Sequence, residues 1–574
     1  MICFYINFEY QERILRTEVI FISIFSIKKV SYADLVLIFS ILAVGGFNEW
    51  VSAVASVALL AYLIYKGIEQ KTIKFSKNLL FFATAFVCIS YFVVSFWAVD
   101  PGMAIIGGIK FLPLILFLLT LKQEKVDKAN SYQIIILTTA FMVVVSTIFS
   151  FLPQFSQHFT VADRLSGFFQ YPNAFAMLVL ISELLILQKE KLNPIDFVNL
   201  GIFLFGILYS GSRIVFVLFI LSNIAILLLK SNKKFRLIFL LSVAAVLFVT
   251  LVFFRDNSIV QRFFKISVFE STFVGRLLYW FDALPLLLKY PFGMGYLGFN
   301  YIHPSIQSGV YTVRYVHNDF LQLFLDIGWV PTITFIVVLC KKIFSKKTGH
   351  NLRVILLTFA SHIFFDFDLQ FLSMFLILIL LLEDPDSKTK VKFNGLIGGM
   401  LALLLAFHTY MSLHLAFSHF KMEKQADRLY PWNTENHIAM LEQEQNLSKA
   451  SNLANEIMAQ NSITYIPYVI QANQAYASGD FTSLIAYNRE LIIRAPFYYE
   501  YYENYAKMLI EGMRKYQIAG DNESAEFCAK ELITLKSALE QLPSKLSVLG
   551  TRIKDQPQTE FPPEIMEIIN GLEG

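Results

Sequence analysis

Charge is scarce in this sequence. Only 16% of the 574 residues are Asp, Glu, Lys or Arg, against about 25% in a soluble domain. A wholly soluble fold is excluded, because 56% of the chain is apolar and one globular core cannot bury it. Cysteine is scarcer still, with four in all. Cys3 lies at the terminus, Cys88 and Cys340 fall in apolar runs and Cys528 stands alone near the other end, so neither a disulfide framework nor a metal-binding spacing emerges. Basic excess is small, at +4, which argues against a nucleic-acid partner. A small-residue cleavage site is also missing near the N-terminus, where Glu9, Glu12 and Glu18 interrupt the basic residues, so that stretch does not read as a secretory signal.

Long apolar runs are what the sequence has in abundance. Crossing a hydrocarbon slab of roughly 30 Å takes about 20 helical residues. Runs near that length are expected at 33–48, 50–65, 78–97, 102–121, 131–152, 172–188, 194–209, 213–229, 237–254, 319–340, 351–365, 369–383 and 394–415. Backbone groups in lipid are satisfied only in helices or closed barrels, and the uninterrupted runs lack a barrel's period of two. The expected fold class is therefore all-α, a polytopic transmembrane helix bundle of about 12–13 spans.

Lysine and arginine orient it. One alternate set of loops holds Lys66, Lys71, Lys74 and Lys77; Lys122, Lys125 and Lys128; Lys189 and Lys191; Lys230, Lys233, Lys234 and Arg236; Lys341, Lys342, Lys346, Lys347 and Arg353; and Lys388, Lys390 and Lys392. The positive-inside rule makes these loops cytoplasmic. It predicts a cytoplasmic segment 1–32, a membrane domain 33–415 with a large external loop 255–318, and an external C-terminus.

Beyond Lys421 the chain turns rich in Glu, Gln, Asn, Ala and Tyr with amphipathic helical patterning. Tyr430-Pro431 and Ala495-Pro496 mark helix starts, Ile463 to Tyr468 open a similar unit between them, and Ala475, Tyr476 and Gly479 close a helix. The spacing of about 33 residues predicts a tetratricopeptide-like domain over 421–545, a stack of helix pairs that offers a protein docking surface. An irregular helical cap is the alternative. Residues 546–574 form a last tail.

Ionisable residues at the expected external surface are the candidates for chemistry, since charge at a membrane is costly. Arg164 lies in the run Asp163 to Asn173, Arg213 follows Ser210-Gly211-Ser212, and Arg276 precedes Trp280 in the long loop. Guanidinium groups bind phosphate bidentately at any accessible pH, and Ser212 with Gly211 adds a helix start that suits a pyrophosphate. Each arginine alone is equally well explained as snorkelling to the interface. His317, in His317-Asn318-Asp319, can take a proton from a hydroxyl near neutral pH, although a lone histidine is more often structural. His362 and Asp366 stand four apart, on one face if the helix continues. Asp366 and Asp368 also allow a divalent-metal reading, but a supporting polar pair without metal is favoured, since magnesium sites draw further ligands from substrate and water.

In order and placement, the Arg164 to Asn173 turn, Ser210 to Arg213, Arg276 with Trp280, Pro291 to Gly295, and His317 to Gln322 followed by Gly328 resemble the O-antigen ligase and O-antigen polymerase superfamily of bacterial surface-polysaccharide enzymes. The resemblance covers roughly 33–415. It implies a glycosyltransferase in a bacterial plasma membrane that takes a polyprenyl-pyrophosphate-linked glycan as donor and needs no cofactor or metal. Carried onto this sequence, His317 is the general base, Arg213, Arg276 and Arg164 contact the pyrophosphate, and Ser212, Asn318, Asp319, Trp280, His362 and Asp366 support them. The acceptor stays open between a second glycan, a lipid or wall anchor, and a protein side chain. A transporter for polysaccharide precursors is the reading from another class; it calls for internal repeats and polar midplane residues, which the bundle lacks. A membrane-anchored scaffold working through its tail leaves the ordered Arg and His positions unexplained.

Overall fold

Several helix starts in this chain are fixed by side chains that satisfy the first free N–H groups or by a proline that has none. Ser31 and Asp34 form a reciprocal cap on helix Tyr32–Leu42, as do Asn193 and Asp196 on Pro194–Ser210, and proline takes the first helical position at Pro113, Pro172 and Pro194, where its missing N–H costs nothing. A computed structural model of the chain describes residues 29–124, 127–229, 271–384 and 388–573. The described residues are mostly helical. The expected segment 1–32 up to residue 28, the expected span 237–254, the loop residues 255–270, Lys125 and the Lys230 to Arg236 group lie outside them.

Among the described residues, five helices are long and apolar enough to cross a membrane: Glu49–Gln70, Leu79–Phe96, Pro101–Gln123, Lys128–Ser150 and Gly395–His419. Tyr32–Leu42, Pro172–Leu187, Pro194–Ser210, Arg213–Leu229 and Leu372–Leu382 are apolar but shorter. The expected spans 33–48 and 369–383 therefore narrow to helices of 11 residues, which rise only about 16 Å. The expected span 319–340 divides into Asp319–Ile327 and Trp329–Phe344 at Gly328. Its φ is +83°, and a Cβ there would come within 2.5 Å of the Phe292 backbone, so neither a helical bend nor a side chain fits.

Among the described residues, the contacts group 29–89, 108–229 and 333–415 into one unit, and 90–107, 271–332 and 416–573 into another. In the first, strand Thr72–Ser76 pairs antiparallel with Lys388–Lys392, setting Lys74 opposite Lys390. Glu383 receives Lys122 and, at 3.1 Å, Lys128, and Asp384 receives Lys342. Four of the lysine-rich loops thus meet.

In the second unit the polar C-terminal region folds as helices Glu423–Leu429, Thr434–Gln443, Leu447–Gln460, Ile466–Ser478, Phe481–Arg494, Tyr499–Ile518 and Asn522–Glu540. Asn433, Asn446, Asp480 and Asp521 cap four of them. These helices share the unit with the loop region. Asp100 accepts from Asn461 at 3.1 Å and Glu435 from Tyr301 at 2.8 Å.

Candidate functional site

Arg164 sits on a two-residue hairpin, Thr160–Val161 against Arg164–Leu165. The turn that reverses the chain holds Ala162 and Asp163 at φ 48° and 62°. From there Arg164 Nε donates to the Ser210 carbonyl at 2.8 Å and Nη2 to Asn173 Oδ1 at 2.7 Å. The Asn173 amide donates to Asp366 at 2.8 Å, and the Tyr171 hydroxyl donates to the other Asp366 oxygen at 2.7 Å. Asp366 is fully buried. A guanidinium on the last carbonyl of helix Pro194–Ser210 caps its negative end.

Gly211, at φ 60°, then turns the chain so that Arg213 opens the next helix. The Ser212 N–H donates to Ser210 Oγ at 3.2 Å. Arg164, Ser212 and Asp366 are thereby joined through Ser210 and Asn173, and Arg213 follows Ser212 in the chain.

His362 departs from the spacing argument. Its helix, His350–Phe365, stops before Asp366, whose backbone is extended, so the four-residue relation fails. A single 3₁₀ turn at Asp368–Gln370 brings Asp368 back instead, and His362 Nδ1 pairs with Asp368, both fully buried. Asp366 and Asp368, read together as a metal pair, are each engaged by protein donors.

The second unit carries the other candidates. Arg276, Tyr279 and Trp280 lie three and four apart on helix Ser271–Lys289, hence on one face. Trp280 Nε1 donates to the Val316 and His317 carbonyls at 3.1 and 3.3 Å. His317 holds φ 53°, a left-handed conformation uncommon for a residue with a Cβ and concentrated at functional sites. Its ring lies 5.9 Å from that of Tyr279.

Directly after it, Asn318 caps helix Asp319–Ile327 by accepting from the Leu321 N–H at 3.0 Å. Buried Asp319 occupies the first turn, where the helix dipole favours a carboxylate. Gln322 accepts from the Val316 N–H at 3.1 Å and donates to Asp326 at 2.8 Å, and Asp326 also accepts from Tyr91 at 3.0 Å. Sequence reasoning missed Gln322, Asp326 and Tyr91 as supports; the Tyr91 bond to Asp326 joins segments far apart in the chain, and the bonds of Gln322 depend on how Val316 is turned toward the helix.

The glycines of Pro291 to Gly295 have a packing role. Gly293 and Gly295 hold φ 88° and 86°. They let Met294 and Gly295 donate to the Leu325 and Asp326 carbonyls at 2.7 and 3.0 Å, and a Cβ on Gly293 would come within 2.5 Å of Asp326 O. Beside this, Asp282 accepts from Ser308 and Tyr311. Burial pushes its carboxyl above the usual range, against the pull of those donors. Burial also lowers the His303 imidazole to about 4.

Residues 198–336 match a family model described as O-antigen ligase. That segment contains Ser212, Arg213, Arg276, Trp280, His317, Asn318 and Asp319, and leaves out Arg164, His362, Asp366 and the C-terminal helices. No curated protein matches the chain.

Proposed function

Taking residues 198–336 as a segment of the O-antigen ligase family, we propose that this chain transfers a polyprenyl-pyrophosphate-linked oligosaccharide to an acceptor hydroxyl on the external face of a bacterial plasma membrane. The acceptor oxygen attacks the anomeric carbon and the bond from that carbon to phosphate breaks. The hydroxyl proton passes to the His317 imidazole, and the polyprenyl pyrophosphate leaves with the electron pair. Negative charge grows on that leaving group, and fixed guanidinium groups stabilise it best where water is excluded. Arg213 and Arg276 are assigned this task by the resemblance, with Arg164 as a third contact. Arg164 also holds Ser210 and Asn173, which supports an added role in shaping the turn before Arg213.

The family match over the stretch that bears His317 is the observation that carries this reading. Its constrained backbone and the Trp280 bonds to Val316 and His317 support the base assignment, because a general base must be aimed before its pKa matters. Asn318 and Asp319 support it by fixing the helix that follows, Ser212 the turn before Arg213, and His362 and Asp366 the membrane domain.

The proposed layout is a cytoplasmic 1–32, a membrane domain 33–415 of about 12–13 spans with external loop 255–318, an external tetratricopeptide-like domain 421–545 and a tail 546–574. Meeting of the lysine-rich loops supports their common cytoplasmic side. Packing of consecutive helices from Leu447 to Glu540 supports the repeat reading and a protein partner there.

The test uses solubilised full-length protein, a polyprenyl-pyrophosphate-linked oligosaccharide and candidate glycan, lipid and peptide acceptors. Wild type should release polyprenyl pyrophosphate in step with glycan transfer, and His317→Ala should do neither at equal protein level. Transfer retained by that variant removes the base assignment.

A further inference from the structure

The last segment of the chain returns to the loop that carries His317. The Ser547 N–H donates to the Ser308 carbonyl at 2.9 Å, and the two serine hydroxyls lie 2.9 Å apart. Ser308 in turn donates to Asp282 through its hydroxyl at 2.5 Å and its N–H at 2.9 Å, and Tyr311 donates to the same carboxylate at 2.9 Å.

Close approach of the backbones depends on Gly550. A Cβ there would come within 2.0 Å of the Ser308 carbonyl oxygen, so any side chain forces the segments apart. Three residues on, Ile553 is buried against Val274, Leu278 and Tyr311, and the Lys554 N–H donates to Ser271 Oγ at 2.8 Å. The segment thus grips helix Ser271–Lys289 at its first residue and the loop at Ser308 to Tyr311. Tyr311 meets Tyr279 at 4.5 Å between rings, and Tyr279 meets His317 at 5.9 Å. The path from Ser547 to His317 is continuous.

We propose that residues 547–554 are a clasp that sets the His317 loop on the helix bearing Arg276, with Asp282 as its hub. The C-terminal segment is then a positioning element for glycan transfer. This rests on the reading of His317 and Arg276 given above. Loops held at one end by helix caps keep freedom at the other, and the bonds at Ser308 remove it. Mere attachment of the tail would need only one of these contacts; the clasp joins both elements that carry candidate catalytic groups.

The test compares full-length wild type, Gly550→Val and Asp282→Asn, by donor-acceptor turnover and by amide hydrogen exchange. Turnover in both variants should fall roughly 100-fold, with the KM for donor within about threefold of wild type, as for misplacement of a catalytic group. Exchange should rise at 308–318 and stay unchanged in helices Leu447–Gln460 and Tyr499–Ile518. Unchanged exchange at 308–318 overturns the clasp, and so does faster exchange with wild-type turnover. Loss of protection throughout the C-terminal helices also overturns it, in favour of a plain folding contact. If His317→Ala still transfers glycan, the functional reading fails, while the exchange measurement still decides whether residues 547–554 hold the loop.

Discussion

The polar groups around Arg164 and those around His317 differ in what they chiefly hold. Around Arg164 one bond reaches the Ser210 carbonyl, and the others run from side chain to side chain and close on a buried carboxylate: Arg164 to Asn173, then Asn173 and Tyr171 to Asp366. Around His317 they fix the main chain, through Trp280 on two carbonyls, Gln322 on the Val316 N–H, and Asn318 on the next helix. A closed network of charged and polar side chains holds a shape, and removing one member strands the others. A fixed backbone in a left-handed conformation aims one side chain. On this contrast Asp366 and its partners are expected to serve folding first, and His317, the proposed base, to serve turnover.

Replacement of His317 by Ala is the largest expected break in this comparison. Transfer should fall about 1,000-fold with folding intact, the scale of a lost general base, and equal thermal stability with wild type is the check. Next comes Asp366→Ala, which strands Tyr171 and Asn173 and should cost about 3 kcal/mol of stability. Thermal unfolding reads this, and transfer per folded molecule should change far less than in the histidine variant.

Burial lowers His303 from 6.5 to about 4, so on acidification the unfolded chain takes up the proton first. The stability due to neutral His303 is whole above about pH 6.5 and is lost as pH falls toward about 4, amounting to about 2 kcal/mol near pH 5. A flatter pH dependence of the unfolding midpoint in His303→Phe over that interval is the expected outcome. The smallest effect belongs to Trp280→Phe. It keeps the ring but loses the donor to Val316 and His317, worth about 1 kcal/mol or roughly a fivefold loss of turnover, with stability near wild type. A large stability loss instead would move His317 into the same class as Asp366.

Much of the helical character was legible because it depends on local runs. Leu79–Phe96 and Lys128–Ser150 follow directly from apolar length, and Gly479 marks a helix end because its left-handed turn favours glycine. The break at Gly328 was not legible, since it arises where the backbone of Phe292, far away in sequence, crosses the helix line. Spacing suggested that His362 faces Asp366, but the helix ends one residue too early and Asp368 takes the place.

The residues Arg213, Arg276 and His317 stood out because charge is rare here. Their supports did not, because a tryptophan on a carbonyl 36 residues away leaves no local pattern. The closeness of residues 547–554 to the His317 loop was equally hidden: one glycine and two serines carry no periodicity.

The most direct test of the central claim is analysis of lipid-linked glycan and finished surface polysaccharide or glycoconjugate in cells carrying wild type, His317→Ala or no copy. The account predicts that donor accumulates on the outer face and the long product vanishes in both mutants alike. Product formed at the wild-type level by His317→Ala, or donor that never reaches the outer face without the protein, would contradict it.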